Sequence, residues 1–126
     1  MTQPAQPRHA GPERRQRRSA DPTVAAVLFL QAVASRGRHA SVALADHDGL
    51  LLAGAGALDA EAVAAVAPLV DQGRCAADGL LGLVTRGAPL HVWPLELAGA
   101  RCYLAAVGGL EAPPADAEPT LNRIFA

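Results

Sequence analysis

Ser41-Val42-Ala43-Leu44-Ala45-Asp46-His47-Asp48-Gly49-Leu50-Leu51-Leu52-Ala53-Gly54 is the stretch that decides the fold. Residues 40–45 read as one strand and residues 50–55 as a second. In the first, Val42 and Leu44 alternate with Ser41, Ala43 and Ala45. That is the period of a pleated strand with a large apolar face and a small one. Small residues on the second face imply that something packs closely there too. Between the strands, Asp46-His47-Asp48-Gly49 forms a tight hairpin turn with Gly49 placed for a positive φ.

A helix precedes this hairpin. Asp21-Pro22 is a helix start, with Asp21 as N-cap and Pro22 at the first helical position. The helix is expected over residues 22–36, with Val24, Val27, Leu28 and Gln31 on its buried stripe and Leu30 and Val33 widening it. Gly37 is expected to stop it, and Arg36 lies near its negative end. The run Arg14–Arg18, Val24–Leu30 and Ala32-Val33-Ala34 also has the outline of a secretory signal. Asp21-Pro22 and Gln31 speak for the docked helix instead.

After the hairpin, Gly54-Ala55-Gly56 leads to a second helix. Asp59 is its N-cap and Glu61 lies in its first turn. Val63, Val66 and Val70 follow at helical spacing, and Gly73 ends the helix. Pro68 falls inside the pattern and is expected to kink or break it.

Three strands are then expected. Residues 80–85 form one and residues 90–97 the next, which turns at Ala98-Gly99 into residues 100–107. A two-residue turn there fixes the register. Leu97 faces Ala100, Leu95 faces Cys102 and Trp93 faces Leu104, while on the other side Glu96 meets Arg101 and Pro94 meets Tyr103. Pro94 points to an edge strand or a bulge. A Pro-rich link over 112–119 leads to a short last helix with Leu121, Ile124 and Phe125 on one face. The fold class is therefore α/β (α+β), an antiparallel sheet of five strands flanked by helices.

Composition narrows the chemistry. The chain has 126 residues, enough for one domain. Residues 1–20 form an Arg/Pro-rich tail with almost no large apolar side chain, expected to be disordered; residues 21–126 form the domain. Half of the residues are apolar (51%), but aromatics are 3% and alanine dominates, so the core must close-pack small side chains. All eleven basic residues are arginine, which excludes a P-loop lysine, a Schiff base and a lysine general base. The net charge of −1, with the arginines crowded before residue 20, gives the domain no nucleic-acid-binding balance. Cys75 and Cys102 form no C-x-x-C and read as buried thiols of a reducing compartment, so a cytoplasmic location is expected.

Sites of chemistry are weighed against structural roles. Gly54-Ala55-Gly56 lacks the third glycine of a dinucleotide fingerprint, and Asp59 and Glu61 would repel a pyrophosphate. Asp46, His47 and Asp48 with His39 do not complete a calcium or zinc set; they are ordinary turn residues. His91 and Cys102 could be imagined as base and nucleophile, but the register turns both toward the core. No catalytic residue, cofactor or metal is expected.

The hairpin Ser41–Gly54, followed by the Asp59-capped helix and a meander, resembles the roadblock / dynein light chain family over residues 22–126. The resemblance implies a three-layer α-β-α sandwich of the roadblock/profilin-like type. The first and last helices lie on one face of a five-stranded sheet and the middle helix on the other. It also implies a homodimer through that middle helix, with Val63, Val66, Leu69 and Val70 in or beside the seam and an apolar stripe on it facing solvent in the monomer. By function it implies a non-enzymatic regulatory or scaffold protein, with a small Ras-like GTPase as the partner class. The alternative is a small-molecule sensor module resembling the GAF or PAS class, which would hold a pocket near Trp93, Tyr103 or His91.

Overall fold

The computed structural model describes residues 21–74 and 79–126. The expected tail and Cys75 lie outside them. The elements run α1 (Pro22–Gly37), β1 (Ser41–Asp46), β2 (Leu51–Gly56), α2 (Ala60–Asp71), α3 (Leu80–Thr85), β3 (Leu90–Leu97), β4 (Ala100–Val107) and α4 (Ala117–Phe125). The strands form one antiparallel sheet in the order β2-β1-β4-β3.

The sheet thus has four strands where five were expected, because residues 80–85 are helical. Leu80-Leu81-Gly82-Leu83-Val84-Thr85 is a short apolar run, and periodicity cannot tell a strand from a helical turn at that length. Leu83 is 79% exposed, so the run is no core strand. Thr85 bonds back to the Leu81 carbonyl at 3.0 Å. Arg86 (φ 55°) and Gly87 (φ 82°) then close the helix with left-handed backbone, and both N–H groups turn back to the Gly82 carbonyl.

The layers follow from strand alternation. Val42, Leu44, Leu95, Leu97, Cys102, Leu104 and Ala106 face one side and pack against Ala26, Leu30 and Val33 of α1 and Ala117 and Leu121 of α4. Ala43, Ala45, Tyr103, Ala105 and Val107 face the other and pack against Val63, Ala64 and Ala67 of α2. Small side chains on that second face let the α2 backbone approach closely, as the pattern of β1 required. The last helix carries Leu121, Ile124 and Phe125 to the first of these cores, as expected.

Asp21 caps α1 by accepting the Val24 N–H at 3.3 Å. The buried face of α1, however, is Ala26, Leu30, Val33 and Gly37; Val24 and Leu28 are 52% and 61% exposed. The expected stripe was set one step out of phase because Val24 and Leu28 outweigh Ala26 in size. A close helix–sheet approach favours the alanine. Gly37 is the last helical residue rather than the stop, and the left-handed cap is Arg38 at φ 57°. Pro68 does not break α2, which runs through it as one helix.

The β3–β4 register is the expected one, from Leu90↔Val107 to Leu97↔Ala100. Ala98 (φ 51°) and Gly99 (φ 82°) make the two-residue turn. Pro94 lies on the edge strand β3. Along that outer edge Pro94 offers no N–H, the Glu96 N–H donates to Glu118 Oε2 at 2.7 Å, and the Ala98 N–H donates to Asn122 Oδ1 at 3.0 Å. Helix α4 thereby closes half of an edge that would otherwise be open to pairing.

Candidate functional site

The hairpin turn is built by Asp46. Its Oδ1 accepts the N–H groups of Asp48 and Leu50, both at 2.9 Å, and Gly49 adopts φ 86°. His47 and Asp48 face solvent as a side-chain pair at 3.3 Å. Asp46 is thus engaged in shaping the turn. Among the described residues no group of three or more His, Cys, Asp or Glu side chains is placed to hold a metal ion.

Gly54 and Gly56 also answer to packing. A β-carbon at Gly54 would meet that of Ala60 at 2.6 Å, and one at Gly56 (φ 115°) would strike the Ala40 carbonyl and Ser41. Asp59 spends its carboxylate on the Glu61 and Ala62 N–H groups at 3.1 and 3.3 Å. This is a capped turn with no open phosphate cradle.

His91 pairs with Ala106 and Cys102 with Leu95, so the two share a face but stand about 13 Å apart along the strand. Cys102 is buried, and desolvation pushes its thiol pKa up, with Asp46 and Glu96 adding to the shift. A thiol held protonated and buried is a packing group.

The expected interface stripe divides along α2. Val63 is 0% exposed and packs on the sheet, and Val66 is 4% exposed. The solvent-facing stripe is therefore corrected over its first half, because Ala43, Ala45 and Ala105 admit the valine side of α2 to the sheet. Leu69 and Val70 are half-buried.

One feature escaped the sequence. His39, His91 and Trp93 form a cluster: His91 stacks on Trp93 with centroids 6.0 Å apart, and His39 meets both edge-on at 6.4 and 6.2 Å. His39 Nδ1 lies 2.7 Å from the Gly108 carbonyl, which only accepts, so Nδ1 carries the proton. The ring fits because Gly37 and Gly109 present no β-carbon to it. The Leu110 N–H donates to the Gly37 carbonyl at 2.9 Å. These bonds tie the end of α1 to the link between β4 and α4. Beside them opens a cavity of about 400 Å³, lined by Val33, Arg36, Gly37 and His39 on one side and by Leu110 and residues 112–116 on the other. Its lining includes none of Trp93, Tyr103 or His91, where a sensor pocket was expected. The available signal was Gly108-Gly109 before a double proline, Pro113-Pro114, which marks a link with fixed walls.

Among solved structures, the chain is similar to Myxococcus xanthus MglB, at 16% identity and a TM-score of 0.47 over 85% of this chain and 89% of that chain. No family model matches the sequence, and no curated relative does. The mixed α/β architecture, with an antiparallel sheet between helices, is the fold class expected from the sequence; the strand count, four where five were expected, is the difference. No helix among the described residues is long and apolar enough to cross a membrane.

Proposed function

We propose that the chain is a non-enzymatic, cytoplasmic regulatory or scaffold module of the roadblock type, active as a homodimer, with a small Ras-like GTPase as its partner class. The observation that supports this most is the layering. Helices α1 and α4 share one face of the sheet, and α2 takes the other, joined at its edge by Val84 of α3, close to the arrangement implied by the resemblance of the hairpin Ser41–Gly54 to the roadblock family. The polar groups with the strongest chemical potential are engaged structurally: Asp46 in its turn, Asp59 in its cap, Cys102 in the core.

The dimer surface in this reading is the C-terminal part of α2, where Leu69 and Val70 stay accessible after Val63 and Val66 have been taken by the chain's own core. The partner is tested by measuring GTP hydrolysis and nucleotide release of small Ras-like GTPases from the same genome, with and without the chain. A change of about tenfold or more in either rate for one of them supports the reading. Unchanged rates and no complex with any of them remove the GTPase from it.

A further inference from the structure

We propose that the cavity at the end of α1 binds a small amphiphilic carboxylate, its apolar body between Val33, Leu110 and Pro113 and its carboxylate on Arg36. The site is distinct from the α2 surface and does not depend on dimerisation.

The cavity has the size of a small-molecule site, about 400 Å³. Its walls are Val33, Leu110, alanines and two prolines, so the bulk of an occupant must be apolar. Leu110 is 59% exposed, a large side chain left open where an occupant would cover it. The frame is formed in advance. The Leu110 N–H is held by Gly37, the Gly108 carbonyl by His39, and Pro113 and Pro114 fix their own φ angles. Little ordering entropy would oppose binding.

The polar end is set by Arg36. Its guanidinium offers five donors, and among the described residues its one ion-pair partner is Asp116, at 3.8 Å. That is too long for a direct hydrogen bond. Asp116 sits at the N-cap position of α4 yet makes no capping bond. Its carboxylate therefore neither caps the helix nor pairs tightly with Arg36. An incoming carboxylate can take Arg36 in a bidentate pair and leave Asp116 to cap α4. The negative end of α1 is the unfavourable feature for an anion; three of its carbonyls are engaged by N–H groups, and the Arg36 guanidinium opposes the rest of that charge. Ala34 and Ser35 accept from the Arg38 N–H and Gly37 from the Leu110 N–H.

The probe is decanoate, titrated into the full chain and followed by backbone amide shifts, with decanol as the uncharged control. Saturable shifts are expected, largest at Arg36, Leu110, Ala112 and Asp116. Decanol and the Arg36→Gln variant should each bind at least about tenfold more weakly, with Arg36→Lys between. Leu28→Ser, on the outer face of α1, should leave binding unchanged. The proposal is overturned if decanoate and decanol bind alike, if Arg36→Gln binds as the wild type does, if the largest shifts fall at Val24 and Leu28, or if nothing saturates below ~1 mM.

Discussion

Gly49 rests on Ala65: a β-carbon added to the hairpin glycine would stand 3.2 Å from the Ala65 α-carbon, and 3.3 Å from the Ala64 carbonyl. That carbonyl is the one whose helical partner Pro68 removes, since proline has no N–H to return. The turn and α2 thus meet at the point where the helix ladder is interrupted. Gly49→Ala combines left-handed strain with this crowding and should destabilise the fold by about 1–3 kcal/mol. Gly73, at φ 70°, has nothing within 4 Å of its added β-carbon and shows the strain alone. Urea midpoints should fall further for Gly49→Ala than for Gly73→Ala; the reverse order would show that the contact contributes nothing.

The phase of α1 gives a second test. Leu30 is fully buried and Leu28 is 61% exposed. Leu30→Ala should cost about 2–5 kcal/mol. Leu28→Ala should change stability by no more than about 0.5 kcal/mol. Comparable losses at both positions would mean that Leu28 is covered in solution.

The hairpin, the β3–β4 register and both N-caps were legible in the sequence because each is set within a few residues. Asp46 bonds two and four positions ahead, Asp21 three positions ahead, and the Glu96–Arg101 pairing depends only on a two-residue turn. Three features were illegible because distant packing decides them. The rotation of α1 depends on how closely its Ala26 side approaches the sheet. The continuity of α2 through Pro68 depends on the core that grips Val63, Ala64 and Ala67. The cavity and the His39 cluster join residues near 37 to residues near 109, a span of about seventy positions that no local pattern records. Leu51 and Ala53 show the same effect in miniature. A bulge between their partners Ala45 and Leu44 sends them to opposite cores, where strict alternation puts them on one face.

Asn122 joins α4 to the β3–β4 hairpin through two hydrogen bonds and is steadied by a third within its own helix. It accepts from the Ala98 N–H at 3.0 Å and donates to the Glu96 and Glu118 carbonyls at 2.8 and 3.0 Å. Asn122→Ala should lower stability by about 1–2 kcal/mol. It should also accelerate hydrogen exchange at Ala98 more than at the β1–β4 pairs. Equal acceleration across the sheet would mean that the turn is not held by α4.

Cys102 makes stability depend on alkaline pH. Burial raises its thiol pKa in the folded chain above the ordinary value of about 8.5. The unfolded chain then loses the proton first, so this contribution is full below the ordinary value and is lost as pH rises through the thiol range. Cys102→Ala should flatten the decline of stability with rising pH. In a Cys75→Ser background, the remaining thiol should react slowly with a disulfide reagent until the chain is unfolded. Rapid labelling under native conditions would contradict the buried, protonated thiol.

The central claim is a dimer through the end of α2, and the most direct measurement is the solution mass by light scattering. It is made on the wild type and on Leu69→Glu and Val70→Glu, which place a charge on half-exposed positions. Val66→Glu is unsuitable, since it would bury a carboxylate in the monomer's own core. The account predicts a wild-type mass near twice the chain's 12.9 kDa and a fall to the monomer value in at least one variant, with unchanged circular dichroism. A monomeric wild type, or a dimer untouched by both charges, would contradict it.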